Sequence, residues 1–137
     1  MAVAKSMITA SFLAGADLSS CQYEAIKMHT VAAGSCNEVT VAGSAAEKCI
    51  GILQNKPADG EEAIVAIAGV CTAAIGEASL SAGDYLSAMA TGLLEQADAA
   101  HDHVIGMLLK DSSSAAGTTA EYLPILIMHL EATASDA

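Results

Sequence analysis

Cys49-Ile-Gly-Ile-Leu-Gln-Asn-Lys-Pro-Ala-Asp-Gly60, running on into Glu61-Glu-Ala-Ile-Val-Ala-Ile-Ala-Gly-Val-Cys-Thr-Ala-Ala-Ile75, is the stretch whose reading decides the fold. Cys49–Leu53 is a short apolar segment that ends in a strong turn, Gln54 to Gly60. Within that turn Pro57 fixes φ, and Asp59-Gly60 suits a positive φ. Glu62–Ala68 and Val70–Ile75 follow as strands that are apolar at both parities. A strand of that kind has both faces covered, here by other strands or by a neighbouring subunit.

Outward from this stretch, glycine punctuates the chain at short intervals: Gly34, Gly43, Gly51, Gly60, Gly69, Gly76, Gly83, Gly92, Gly106 and Gly117. Spacings near ten residues are those of short strands in a sandwich or barrel. Alanine favours helix, but a helix loses about 1 kcal/mol at each interior glycine, so the β reading wins. Further strands are expected at Tyr23–His29, Glu38–Val41, Tyr85–Met89, Leu93–Glu95, His103–Leu109 and Glu121–His129. Ala90-Thr91-Gly92 makes a compact hairpin tip, Ser81-Ala-Gly-Asp84 a turn, and Ser44–Lys48 a single helical turn. Pro124 cannot donate to a ladder, which predicts that its strand lies at an edge or begins irregularly. Residues 1–20 read as an extended arm carrying Ile8, Phe12 and Leu13, able to reach about 60–70 Å. Residues 21–130 form the β domain and residues 131–137 a frayed tail.

Composition narrows the function. The 137 residues fit one domain, and the net charge is −11 with five lysines and no arginine. Phosphate contacts need clustered positive charge, so nucleic acid is excluded as a partner, and anionic membrane surfaces with it. No apolar run approaches the ~20 residues of a membrane span. There is no Trp and one Phe, so alanine supplies much of the 53% hydrophobic content. Aromatic side chains normally dominate burial. A chain this thin in interior bulk turns to disulfides, metals or oligomerisation. Cys21, Cys36, Cys49 and Cys71 have wide, irregular spacings and follow no secretory signal, which reads as buried thiols of a protein made in a reducing cytoplasm. No paired C-x₂₋₄-C zinc ligands occur. Oligomerisation is left.

Catalytic candidates are few. Asp98, His101, Asp102 and His103 place two histidines at i, i+2, a spacing that can serve a metal, but no third ligand stands at regular spacing and a solvated loop accounts for them. Ser112–Ser114 lack a nucleophile elbow, and Glu61-Glu62 point to opposite faces of a strand. Thiolate chemistry would need cations this chain does not cluster. Neither phosphate-loop motif is present. No cofactor, metal or catalytic residue is expected.

Gly51-Ile-Leu-Gln-Asn-Lys-Pro57-Ala-Asp-Gly60-Glu, then Ala66-Ile-Ala-Gly69-Val, Ser81-Ala-Gly-Asp84-Tyr-Leu, Gly92 and Ile105-Gly106 form an ordered set. Together they resemble the phage capsid cement, or head-decoration, proteins over roughly residues 15–130. The resemblance implies an all-β domain, a small β-barrel or β-tulip-like sandwich, trimeric on the outside of an icosahedral head. It also implies a protein without enzymatic activity that clamps neighbouring major capsid proteins. On that likeness Gly51, Gln54, Asn55, Pro57, Gly60, Gly69, Gly83, Asp84, Gly92 and Gly106 are scaffold positions. The long Ser112–Thr119 loop departs from the pattern.

These readings combine into an expected mechanism. Copies associate through apolar strand faces, Glu62–Ile75 foremost, while Ile8, Phe12 and Leu13 of the arm lie on the capsid by strand addition. Several weak footholds on one body then act together. The alternative is an adhesive or ligand-binding β module of a fibre, a pilus or a carbohydrate-binding domain, which the lack of Trp disfavours.

Overall fold

The structure is a computed structural model that describes residues 6–29, 37–98, 102–113 and 120–131. The described residues are all-β, as the glycine punctuation predicts. The strands are β1 (Met7–Ala14), β2 (Ala25–Met28), β3 (Glu38–Val41), β4 (Cys49–Leu53), β5 (Glu62–Ile75), β6 (Tyr85–Ala88), β7 (Leu94–Gln96), β8 (His103–Leu108) and β9 (Glu121–Glu131). They form one nine-stranded sheet in the order β1-β3-β2-β4-β5-β7-β6-β8-β9. Extra pairings of β1 and β9 with β5 fold this sheet back on itself into two circuits that share β5. The closures are slight: β1 meets β3 over two residue pairs and β5 meets β7 over one. The architecture is therefore a doubly folded sheet rather than a clear barrel.

The apolar run of β5 explains the arrangement. Residues 62 to 69 pair with β1 and β4, and residues 70 to 75 pair with β7 and β9. Gly69, at φ 90, stands where the partners change. A Cβ there would collide with the Ser6 carbonyl oxygen, so only glycine lets β1 cross so closely. The two segments read from the sequence are thus one long strand. Ala63, Val65, Ala66, Cys71 and Ala73–Ile75 are buried within the chain, while Ile64, Ile67, Ala68, Val70 and Thr72 stay half-exposed.

The two circuits have the same wiring. In the first, β1 runs parallel to β3, β2 pairs antiparallel with β3 and β4, and β5 closes antiparallel on β4 and β1. In the second, β5 runs parallel to β7, β6 pairs antiparallel with β7 and β8, and β9 closes antiparallel on β8 and β5. Registers coincide as well. Ala25↔Ile52↔Ala66 crosses the first circuit as Tyr85↔Met107↔Leu126 crosses the second. Backbone hydrogen bonds match: the Tyr23 and Gly83 amides donate to the carbonyls of Leu53 and Leu108, each at 2.7 Å. The Gly15 and Gly76 amides donate to Val39 and Leu94, each at 2.8 Å. Strand β5 is the last strand of one repeat and the first of the next.

Each circuit has its own interior. Ala14, Leu18, Ile26, Val39, Leu53, Ala63 and Val65 fill the first. Leu86, Leu94, Leu108, Leu123 and Ile125, with Cys71, Ala73 and Ile75 of β5, fill the second. Burial of each such aliphatic side chain contributes roughly 1.5–3 kcal/mol, so the alanine content does not leave the circuits without a core.

Other local expectations fare differently. Residues 7–14 are extended, but as a strand paired along β5 rather than an arm standing apart, because Phe12 packs against the first interior. Pro124 lies in β9 opposite Thr72 of β5, and β8 pairs with β9 only from Ile125 onward, so the expected edge is a local one. Its carbonyl accepts the Leu109 amide at 3.1 Å, but its nitrogen can return no bond to Leu109, and β8 ends at Leu108. Ser44–Lys48 makes a hydrogen-bonded turn, Glu47 amide to Ser44 carbonyl at 3.3 Å, without helix. Residues 1–5, much of the Ser112–Thr119 loop and residues 132–137 of the expected tail lie outside the described residues.

Candidate functional site

The turn that opened the sequence reading is a stapled scaffold. Asn55 donates through its side-chain amide to the Glu62 carbonyl at 2.9 Å and accepts the Ile64 amide at 3.0 Å. The Gln54 backbone carbonyl accepts the Gln22 side chain at 2.9 Å, and the Gln54 side-chain amide donates to the Ile52 carbonyl at 3.2 Å. Pro57 is buried, and its carbonyl accepts the Leu18 amide at 2.9 Å; the Gly60 amide, at φ 83, donates to Ala14 at 2.9 Å. The turn thereby ties β4 and β5 to the segment after β1. Asp84 caps its own turn by accepting the Ser81 amide at 2.9 Å beside Gly83 at φ 98. Gly92 tips the β6–β7 hairpin, where a Cβ would strike the Val41 side chain of the other circuit. A Cβ on Gly51 would strike the Ala66 carbonyl, and one on Gly106 would come within 2.9 Å of the Leu126 carbonyl. These two glycines are counterparts in the repeat.

Of the residues read as capsid contacts, Ile8 and Leu13 are exposed and Phe12 is half-buried against the first interior. The histidine constellation is only partly described, since His101 lies outside the described residues. His103 faces His129 with ring centroids 6.1 Å apart, and a His129 ring nitrogen lies 3.3 Å from the Ile67 carbonyl. Among the described residues no group of three or more His, Cys, Asp or Glu is arranged to hold a metal ion.

A shallow depression of about 280 Å³ opens where the two circuits meet, lined by Ser19, Ser20, Gln22, Tyr23, Lys56 and Tyr122. Tyr23 adopts φ 72, a strained conformation for a side chain of that size. It is held by its amide bond to Leu53, by the Ala74 amide donating to its carbonyl at 2.8 Å, and by an edge-on contact with Tyr122 at 5.5 Å. The lining offers hydroxyls, an amide, an ammonium and two phenol rings, which can bind; it contains no histidine or carboxylate to move a proton. Nearby, burial pushes the Cys21 thiol up, assisted by the charge of Glu24. Burial also pushes the Cys49 thiol up to about 11. Both stay protonated at neutral pH, so neither is a ready nucleophile.

The feature that sequence reasoning missed is a face. Along β9, Leu123, Ile125 and Ile127 are buried while Tyr122, Pro124, Leu126 and Met128 alternate outward, and Leu130 is exposed beyond a register irregularity. Tyr85 and Met107 continue this apolar surface across β6 and β8, because cross-strand partners share a face. A signal was present: Ile50-Gly-Ile-Leu53 returns as Ile105-Gly-Met-Leu108, which marks β4 and β8 as counterparts.

No protein-family model matches the chain, and no curated protein matches it in sequence. The all-β wiring does have a solved counterpart. It is similar to the N base of the head fiber gp8.5 in bacteriophage phi29, with a TM-score of 0.64 and 11% identity, over 90% of this chain and 95% of that one. At that identity the likeness is one of fold.

Proposed function

We propose that this chain is a non-enzymatic structural protein of a phage virion, displayed on the outside of an icosahedral head. In this reading it acts as a homotrimer that holds neighbouring major capsid proteins together. The observation that carries the reading is the fold shared, over nearly the whole of both chains, with a protein that serves as the base of a phage head fiber. Three features support it. Several carboxylates are tied into turns: Glu47 pairs with Lys27 and accepts the Gly43 amide at 2.7 Å, and Asp84 accepts the Ser81 amide at 2.9 Å. The net charge of −11 suits a protein that stays soluble at high local concentration and avoids nucleic acid. An uncharged outward face along β9 gives such a protein something to hold with.

Gold-labelled antibody against the chain, applied to gradient-purified particles, tests the reading. Label is expected on heads. Label confined to tails, or absent from particles while the chain remains in the soluble fraction, contradicts it. A second reading, a ligand-binding or adhesive module, is favoured by the Tyr23–Tyr122 depression alone. On a glycan array it requires specific binding that Tyr122→Ala abolishes.

A further inference from the structure

We propose that the outward row Tyr85, Met107 and Leu126, with its extension along β9, is the surface on which a second copy of this chain packs. This deepens the self-association part of the reading above and does not depend on where in a virion the protein sits.

The internal repeat carries the argument. In the first circuit the counterpart row is Ala25, Ile52 and Ala66, all fully buried, and these side chains belong to the same buried cluster as the interior of the second circuit. This position of the repeat is thus a docking position within the chain itself: what covers it is another circuit of the same construction. In the second circuit the position recurs, and among the described residues no further circuit covers it. Tyr85 is 44% exposed and Leu126 36% exposed, with Met107 half-buried between them.

The residues differ as the two situations require. A permanent seam inside one chain takes small side chains that let backbones approach, and the first row has two alanines. The second row has tyrosine, methionine and leucine, with Tyr122 and Met128 alongside, a composition rich in the residues that anchor protein interfaces. An ordinary solvated strand would alternate apolar with polar, whereas the outward positions Tyr122, Pro124, Leu126 and Met128 are uncharged throughout.

Charge selects the occupant. A basic partner would be drawn to the carboxylates that give the chain its net −11, not to a row without any. Two copies of an acidic chain repel, and they can meet closely only where neither presents a carboxylate. The row is such a place. Copies arranged around a symmetry axis bring it together with itself or with its own flank, closing the assembly without leaving the apolar strip in water.

Sedimentation of the purified full chain at micromolar concentration, beside a Met107→Glu/Leu126→Glu double variant, tests this. The chain is expected to sediment as a multiple of 13.7 kDa, and the variant as a monomer with an unchanged β-type circular dichroism spectrum. Because the chain lacks Trp, Tyr85→Trp supplies a single reporter that does not rely on the double variant folding. Its emission is expected to be blue-shifted in the assembly and to move red on dilution. A monomeric wild-type chain, a double variant that stays assembled, or a Trp emission that is solvent-like at every concentration would each overturn the proposal. A monomeric chain that loses head binding on Met107→Glu would assign the row to the capsid instead, and would leave the virion reading standing.

Discussion

The first circuit and the second share a strand and a wiring, yet Ala25, Ile52 and Ala66 are sealed inside the chain while Tyr85, Met107 and Leu126 look outward. One pattern of pairing therefore supports two fates for the same face. What decides between them is side-chain size and the presence of a neighbouring circuit, not backbone geometry. The difference also locates where this molecule has surface to spare for partners.

Substitutions at counterpart positions sharpen the contrast. The largest effect is expected from charge. Ile52→Glu places an unpaired carboxylate in the shared interior and should prevent folding or cost several kcal/mol. Met107→Glu should leave the monomer's unfolding free energy within about 1 kcal/mol and act on assembly alone. Urea titration of both reads the difference. Next come the glycines. Gly51→Ala meets a backbone carbonyl that cannot move aside and should cost more than about 3 kcal/mol. Gly106→Ala, which meets the end of the Ile125 side chain and the Leu126 carbonyl at 2.9 Å each, farther off than the carbonyl that a Cβ on Gly51 meets, should cost less, about 1–3 kcal/mol. If the two cost the same, the circuits are less alike in packing than in wiring.

Smaller effects probe the turns and the charges. Asn55→Ala removes both bonds of the β4–β5 staple and should cost about 1–2 kcal/mol, measurable as a shift in the urea midpoint. The smallest is a pH effect at Glu95, whose carboxyl is held above its ordinary 4.5 by burial and then by the charges of Glu77, Asp98 and Asp102. A carboxyl that titrates higher in the folded chain contributes stability below 4.5 and loses it as pH rises through the folded value. Glu95→Gln should therefore raise the thermal midpoint at neutral pH and leave it unchanged in acid.

Much of the fold was legible because its devices are local. Glu38–Val41 and Cys49–Leu53 match their strands to the residue, since each is an apolar run bounded by turn residues. Asp59-Gly60 and Gly83 carry positive φ or flank it, as their chemistry demands. What escaped was long-range. Pro124 does mark a place where the β8 side of β9 is open, but nothing near it says that the rest of β9 is paired on both sides. Phe12 in an apolar-polar segment looks the same whether it reaches outward or folds onto β5. Apolarity at both parities of Glu62–Ile75 marks a strand with much of its length buried, but periodicity cannot tell a sister subunit from the chain's own strands. The positive φ of Tyr23 left no trace in composition, although its counterpart, Gly83, is the residue such a position ordinarily selects.

The measurement that bears most directly on the whole account is a cryo-electron microscopy map of particles carrying this chain. The account predicts symmetry-related copies on the outer head surface, with Tyr85, Met107 and Leu126 of each buried against another copy. Density in which the chain stands singly with that row facing solvent, or heads that lack the chain altogether, would contradict it.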